Sequence, residues 1–208
     1  MTVYDVFNGD ADGICALLQL RHAEPIQSQL ITGVKRDIKL LAQVDALSGD
    51  HVNVLDISMD KNKADVIRVL DAGASIFYCD HHVAGDIPSH PNLAALINPA
   101  ADVCTSLLIN GRLHGALSHW AIVGAFGDNL KNSAQALART TDLTREQLAI
   151  LENLGIYINY NGYGGSLADL HFEPADLYRL LYHYRNPLDF IEDDAAHFHQ
   201  LESGYQDD

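Results

Sequence analysis

The sequence predicts an α/β fold, in which a parallel β-sheet is flanked by helices and followed by a helical carboxy-terminal region. In the first half of the chain, short apolar runs rich in β-branched residues alternate with segments whose apolar residues recur at helical spacing. The links between these runs are short, which favours parallel strands joined by helical crossovers. After the run NLAALINPAA only the helical pattern continues.

The elements are expected in a regular order. Strands are predicted in TVYDVF, SQLITGV, VNVLDI, ASIFYCD and NLAALINPAA. A helix in DGICALLQLRHA follows the first strand, with its leucines on one side. The helix KNKADVIRVLDAG follows the third strand, where Asp60 can cap it and Gly73 can end it.

The second half of the chain predicts helices in TSLLINGRLHG, SHWAIVGAFGDNL and TREQLAILENLGIYI, and another after the glycine-rich stretch NYNGYGG. We expect one domain, with an α/β core over residues 1–135 and a helical extension over 136–208. The extension ends in ESGYQDD, which is typical of an acidic, linker-like tail. The sequence leaves open whether the chain is full length.

Composition excludes several classes of partner. Lys and Arg total only 13 and the formal net charge is −15, whereas a protein that grips long duplex nucleic acid needs a basic face. No apolar run reaches the ~18–20 residues of a membrane span, so we expect no membrane partner. The three cysteines are widely spaced in apolar surroundings, which favours a reducing, cytoplasmic location. A phosphate-bearing partner should therefore be small, or be bound through metal ions.

Acidic and histidine side chains follow the predicted strands. Asp10 and Asp12 come after the first strand, Asp56 ends the third, and the triplet 80–82, Asp-His-His, ends the fourth. Asp128 follows an apolar segment further along the chain. The carboxyl ends of parallel strands share one edge of a sheet, where ligands bind. Carboxylates that converge without cationic partners repel, and divalent cations remove that repulsion. An Asp-rich site with histidine suits Mn²⁺ or Mg²⁺.

These segments together resemble the motifs of the DHH superfamily of phosphoesterases. NGDADGICA resembles the first motif and is closest to its RecJ-type form, NVLDIS the second, CDHH the third and GAFGDN the fourth. The resemblance spans about Val3 to Asp128. The superfamily includes RecJ-type exonucleases, oligoribonucleases, cyclic-dinucleotide phosphodiesterases, family II inorganic pyrophosphatases and exopolyphosphatases.

The resemblance implies a role for each matching residue. It implies two Mn²⁺ or Mg²⁺ ions, bridged by Asp56, and the metal ligands would be Asp10, Asp12, Asp56, His81 and Asp128. His82 would contact the substrate phosphate and assist the leaving group, while Asp80 would orient a histidine or a ligand. Thr105 and Ser106 would approach the phosphate, or would simply begin a helix. Arg112 would neutralise a phosphate, or would form a surface salt bridge.

The chain departs from the resemblance at two points. Val6 stands where many members carry a metal-binding histidine, which leaves the choice between one ion and two open, with Asn8 and Asp5 as nearby substitutes. A glycine-rich substrate-binding motif of a second domain is not recognisable, and NYNGYGG has no histidine. We therefore expect either a minimal enzyme or a chain whose second, substrate-binding domain is elsewhere. A homodimer also stays open.

Together these observations predict a divalent-metal-dependent phosphoesterase that hydrolyses short oligonucleotides or linear or cyclic dinucleotides by two-metal water activation. The four motifs do not separate this activity from an inorganic pyrophosphatase or polyphosphatase. A nucleotide-binding module with weak turnover is the third alternative.

Overall fold

The computed structural model describes residues 1–207, and within them five strands form one parallel sheet. The strands are β1 (Val3–Phe7), β2 (Gln29–Ile31), β3 (His51–Leu55), β4 (Ser75–Asp80) and β5 (Leu93–Ile97). Their order across the sheet is β2-β1-β3-β4-β5. β1 and β3 pair along their whole length, so that Phe7 and Leu55 end at the same level. The predicted parallel α/β fold is confirmed.

Nine α-helices lie in the described part of the chain. They are α1 (Ala11–Ala23), α2 (Met59–Asp71), α3 (Thr105–Arg112), α4 (Ser118–Gly127), α5 (Lys131–Ala138), α6 (Arg145–Asn161), α7 (Pro174–Leu181), α8 (Pro187–Asp193) and α9 (Ala195–Asp207). Short 3₁₀ turns occupy Leu40–Gln43 and Leu167–Asp169. None of these helices is long and apolar enough to cross a lipid bilayer.

The sheet separates two apolar cores, because successive side chains of a strand point to opposite faces. On one face, Val6, Val54 and Tyr78 pack with apolar residues of α2 and of the first 3₁₀ turn. On the other face, Phe7 and Leu55 belong to a larger core built with α1, α3, α4 and α6. This second layer of helices supplies the segments that surround the carboxyl edge of the sheet.

The boundaries of α2 differ from the sequence prediction at one end. Ser58, not Asp60, is the residue before the first helical turn, and Asp60 lies inside that turn. An acidic side chain there still interacts favourably with the positive end of the helix. At the other end Gly73 has a φ of +87°, a left-handed conformation that favours glycine, so the predicted glycine stop is correct.

Helices α1, α4 and α6 approach one another through glycine. A Cβ atom on Gly127 would lie 2.3 Å from the Cβ of Ala11 and 2.8 Å from the carbonyl oxygen of Gly155. A Cβ atom on Gly155 would in turn lie 2.3 Å from the carbonyl oxygen of Val123. Because no side chain fits at either position, the backbones of α4 and α6 touch. This contact fixes the end of α4, and with it Asp128, against the start of α1.

The carboxy-terminal segment is helical and packed. Leu201 of α9 is buried against the larger core, and the ring of Tyr205 lies 5.3 Å from that of Tyr157 on α6. The expected linker-like tail is therefore wrong up to residue 207, because apolar residues of α9 pack on α6. Asp208 lies outside the described residues. The division at residue 135 stays a prediction.

Candidate metal centre

Three carboxylates and an imidazole meet at the carboxyl edge of the sheet. The Nε2 atom of His81 lies 3.3 Å from an oxygen of Asp56, 3.7 Å from one of Asp128 and 3.9 Å from one of Asp12. These residues follow or begin four different elements: α1, β3, β4 and α4. The convergence that the sequence predicts at this edge is present.

Asp10 caps α1 and Asp12 lies in its first turn, and the two carboxylates contact different helices. Asp10 caps α1, and its Oδ1 accepts hydrogen bonds from the amides of Asp12 (3.0 Å) and Gly13 (3.1 Å). The carboxylate of Asp12 accepts from the amides of Thr105 and Ser106, both at 2.7 Å, and from the Ser106 hydroxyl. Asp12 thus anchors the amino terminus of α3, and a carboxylate still has lone pairs for a cation.

Asp56 follows β3 in a left-handed conformation, with φ at +60°, which is uncommon outside glycine. Its side chain is 2% exposed, and Oδ1 accepts a hydrogen bond of 3.1 Å from the Thr105 hydroxyl. Burial, together with the charges of Asp12 and Asp10, raises the pKa of Asp56 well above its usual range. The left-handed backbone of Asp56 therefore places a carboxylate where burial and neighbouring acids make its negative charge unfavourable. A bound cation would relieve that cost.

Asp80 and His82 form a pair beside this cluster. Asp80 is fully buried, and its Oδ1 lies 2.7 Å from His82 Nδ1. This hydrogen bond raises the pKa of His82, although burial opposes the shift. The second oxygen of Asp80 has no hydrogen-bond partner among the described residues. The structure thus places Asp80 against His82, and the orienting role that the resemblance implies for Asp80 stays a prediction.

Asp128 completes the cluster at the carboxyl end of α4. Burial and the charge of Asp12 raise the pKa of Asp128 to about 6, although His81 and Lys35 act in the opposite direction. Two carboxyl groups of the cluster are thus perturbed in the direction that repulsion between like charges produces. Perturbation of this kind is typical of functional sites.

The donor atoms fit a divalent cation. Two overlapping sets of three residues each place their ligand atoms within 4.8 Å of one another. The first set is Asp56, His81 and His82, and the second is Asp12, His81 and Asp128. A set of oxygen donors with an imidazole suits Mn²⁺ or Mg²⁺, and the repulsion within the cluster would be relieved by a positive charge. Asp10, which the sequence analysis predicts as a ligand, belongs to neither set.

A pocket of about 340 Å³ opens beside the cluster. It is lined by Asn8, Asp10, Lys35, Ile38, Asp56, Ile57, Ser58, Lys61, His81, His82 and Asp128. Lys35 is a functional candidate that the sequence analysis does not identify, since that analysis takes the acids to have no cationic partner. Its ammonium lies 2.8 Å from Asp10 Oδ2. The available signal was its place in the segment that follows β2, at the same edge of the sheet.

Thr105, Ser106 and Arg112, which the sequence analysis considers as phosphate contacts, are not among the residues that line the pocket. The two hydroxyl residues are fully buried and bind carboxylates of the cluster, as residues at the start of α3. The guanidinium of Arg112 lies over the ring of Phe77, at 4.6 Å, and 3.7 Å from Glu24. Arg112 therefore forms a surface salt bridge, because it stands at the far end of α3 from the carboxylates.

The residues considered as substitutes for the missing histidine also have other contacts. Val6 is fully buried in the apolar core beside α2. Asp5 forms a buried ion pair with Arg21 and accepts hydrogen bonds from Ser28 and Asn53. Asn8 lines the pocket but donates to the carbonyl of Lys35 at 3.3 Å. Only Asn8 of these three therefore lies at the cluster.

Comparisons with known proteins identify the fold. No family model matches the sequence, and no curated protein matches it. Among solved structures, exonuclease RecJ bound to manganese matches with a TM-score of 0.60 at 17% identity, over 99% of this chain and 60% of that chain. The DHH domain of a member of the s1p family of ribosomal proteins matches with a TM-score of 0.56 at 15% identity, over 88% of this chain and 54% of that chain.

These likenesses show that the chain has the fold of a DHH domain. The resemblance drawn from the four sequence motifs is confirmed at the level of the fold. The chain spans little more than half the length of the two structures that it matches.

Proposed function

We propose that the chain is a divalent-metal-dependent phosphoesterase that hydrolyses short oligonucleotides or linear or cyclic dinucleotides. The observation that supports this proposal most is the convergence of Asp12, Asp56 and Asp128 around His81, with all three carboxylates within 3.9 Å of Nε2. The DHH fold, shared with a manganese-bound exonuclease, supports the same chemistry.

Mn²⁺ is the metal that we propose, with Mg²⁺ as the alternative. Carboxylate oxygens suit both ions, and the imidazole of His81 favours Mn²⁺ over the harder Mg²⁺. A divalent ion in such a site supplies Lewis acidity toward phosphoryl oxygens and lowers the pKa of coordinated water. The residues that would hold it are Asp12, Asp56, His81 and Asp128, whose side chains meet at His81 Nε2.

His82 is proposed to donate the proton that the leaving oxygen needs. Its Nδ1 is held by Asp80 at 2.7 Å, which fixes the ring while the side chain remains half exposed and lines the pocket. The raised pKa of His82 increases its protonated fraction near neutral pH. A general acid whose pKa is near the working pH is effective in this role.

The charge and size of the site favour a small substrate. The protein carries a net charge of −15, which opposes long nucleic acid, and the pocket of about 340 Å³ lies at the small end of the ~300–1,000 Å³ range of small-molecule sites. Lys35 and Lys61 line the pocket and offer positive charge to a phosphate. The small pocket also keeps pyrophosphate or polyphosphate as the second candidate substrate class.

We propose a cytoplasmic location. Cys15, Cys79 and Cys104 are all buried and unpaired, as is usual in a reducing compartment.

The decisive experiment is hydrolysis by the purified chain, with Mn²⁺, of a panel of linear dinucleotides, cyclic dinucleotides, bis-p-nitrophenyl phosphate and pyrophosphate. We expect mononucleotide release that depends on the metal. If pyrophosphate were the only member hydrolysed, with release of inorganic phosphate, the chain would be a pyrophosphatase or polyphosphatase instead. Metal binding without hydrolysis of any member would contradict a self-sufficient enzyme and would favour a nucleotide-binding module, or a catalytic part that needs a partner domain.

A further inference from the structure

Both carboxylate oxygens of Asp10 are already engaged. Oδ1 accepts from the backbone amides of Asp12 and Gly13, at 3.0 and 3.1 Å, as the cap of α1. Oδ2 lies 2.8 Å from the ammonium of Lys35. Asp10 is 3% exposed, so these donors, not solvent, satisfy it.

The position of Lys35 is set by contacts other than the ion pair. Its backbone amide donates to the carbonyl of Gly162 at 2.9 Å. Its ammonium donates to Asn159 Oδ1 at 2.7 Å and lies 5.3 Å from the centre of the Tyr163 ring. Three contacts with the end of α6 and the residues that follow it therefore hold the lysine, and its side chain is 27% exposed.

The backbone between β2 and the first 3₁₀ turn is also held close to the turn that carries Asp10. A Cβ atom on Gly9 would lie 2.0 Å from the carbonyl oxygen of Gly33, so these two segments touch without a side chain between them. The Asn8 side chain donates to the Lys35 carbonyl at 3.3 Å. These backbone contacts thus fix the Lys35 ammonium beside Asp10.

The Lys35 ammonium already neutralises the charge of Asp10, so a second metal ion is not needed there to balance it. An ion that bound Oδ2 would have to displace the ammonium or lie next to it, and like charges at that separation repel. The two sets of donors that could hold a metal share His81, and neither includes Asp10. Both possible sets of donors thus centre on His81, and the Lys35 ammonium lies beside them at Asp10.

We propose that this centre holds a single divalent ion and that the Lys35 ammonium, paired with Asp10, takes the place of a second ion. The expectation of two ions, which the sequence resemblance implies, is replaced by one metal and one fixed ammonium. The role of Lys35 in catalysis, unlike the number of ions, rests on the proposed phosphoesterase function. Lys35 lines the pocket, so the same ammonium would bind a non-bridging phosphate oxygen of the substrate.

The test counts ions without measuring activity. The purified chain is stripped of metal, titrated with Mn²⁺ by isothermal calorimetry, and examined by electron paramagnetic resonance. We expect one ion per chain with the hyperfine pattern of an isolated Mn²⁺. In the Lys35→Met variant, which keeps the length of the side chain and removes its charge, we expect a second ion and an exchange-coupled spectrum.

A matched control is Lys61→Met. Lys61 also lines the pocket, but its ammonium pairs with Asp60 at 3.1 Å, outside the cluster, so the variant should still bind one ion. Circular dichroism of each variant verifies folding, and Lys35→Gln serves as a second neutral variant.

The outcomes separate this inference from the proposed function. Two coupled ions in the unmodified chain would overturn the inference and leave the phosphoesterase proposal intact. Failure of both Lys35 variants to gain an ion would also overturn it, because the ammonium would then not be what excludes the second ion. No ion in the unmodified chain would overturn both. One ion in a chain that hydrolyses nothing would sustain the inference about the metal and refute the activity.

Discussion

Nδ1 of His82 lies 2.7 Å from Oδ1 of Asp80, a carboxylate that is fully buried at the end of β4. The pair places the half-exposed imidazole of His82 beside the candidate metal centre. The protonation of this imidazole therefore depends on its hydrogen bond to a carboxylate that solvent does not reach. The hydrogen bond to Asp80 raises the pKa of His82. A carboxylate two residues away along the chain therefore controls the protonation of the proposed general acid.

Replacement of Asp80 by Asn should lower the pKa of His82. The charge-assisted hydrogen bond favours the imidazolium, so its loss favours the neutral ring. Hydrolysis that needs protonated His82 would then decline at a lower pH than in the unmodified chain. At neutral pH we expect the rate of hydrolysis to fall by roughly 10–100-fold. The pKa is measured by NMR titration of the metal-free protein. An unchanged pKa, or an unchanged pH profile of kcat, would contradict this role.

Replacement of Asp56 by Asn should separate stability from activity. Asn tolerates the left-handed backbone at this position, and it removes a buried charge whose pKa burial and Asp12 raise. We expect metal-dependent hydrolysis to be lost, while the metal-free variant melts at least ~2 °C higher, which corresponds to about 1 kcal/mol. Asp71→Asn, at an exposed site at the end of α2, is the control and should change neither property. Retained hydrolysis would refute the assignment of Asp56.

The metal-free protein should lose stability as pH rises from about 5 to about 7. The pKa of Asp128 is about 6 in the folded chain, against about 3.9 in an unfolded chain, so over this range the unfolded chain binds fewer protons. Stability therefore falls as pH rises through the folded pKa, and the raised pKa of His82 acts in the same direction. The groups that face Asp128 are Asp10, Asp12, Lys35 and His81.

Thermal unfolding at several pH values, with and without Mn²⁺, measures this dependence. We expect Mn²⁺ to raise Tm more at pH 7 than at pH 5, because a cation favours the ionised carboxylates. In Asp128→Asn the slope of Tm against pH should be smaller. A Tm that rises between these pH values in the metal-free chain would show that repulsion in the cluster is not significant.

Replacement of Thr105 by Val should weaken metal binding. The two side chains have similar shape, but Val cannot donate the 3.1 Å hydrogen bond that orients Asp56. We expect the dissociation constant for Mn²⁺ to rise by roughly 10–100-fold, as for other groups that orient metal ligands. Thr140→Val, on an exposed site, is the control. Unaltered affinity in Thr105→Val would mean that the turn alone positions the carboxylate.

Replacement of Arg112 by Met should leave hydrolysis within about twofold. The guanidinium contacts Phe77 and Glu24, and the pair with Glu24 is a surface salt bridge worth ~0–1 kcal/mol. Steady-state kinetics on the hydrolysed substrate would check this. A large rise in KM would restore the phosphate contact that the sequence suggested for Arg112.

The sequence predicts the side of the sheet on which the site lies, because that depends only on strand direction. Asp56 directly follows β3 and Asp80 ends β4, so in a parallel sheet both must reach the same edge. The same argument does not cover Asp128, which follows the helix α4. The individual geometry of the carboxylates was not accessible, since it depends on turns, such as the left-handed conformation of Asp56, that few sequence signals specify.

Contacts between distant segments account for the remaining differences. The carboxylate of Asp12 binds the start of α3 at Thr105 and Ser106, more than ninety positions further along the chain. Lys35 reaches Asp10 from the segment after β2, and no motif in the sequence links the two residues. Arg112 lies at the far end of α3 from Thr105, a separation that the sequence does not reveal until the helix is known to start at the carboxylates. Neither periodicity nor local motifs encode such tertiary contacts.

The glycine contact between α4 and α6 has a genetic consequence. Neither Gly127 nor Gly155 has a side chain that could act as a ligand, yet a single methyl group at either would meet backbone or side-chain atoms closer than 3 Å. One nucleotide change, from a glycine to an alanine codon, would thus move Asp128 away from His81 without altering any proposed ligand. Such a change would pass unnoticed in a survey of the acidic and histidine residues, and the gene would encode an intact set of ligands that no longer meet.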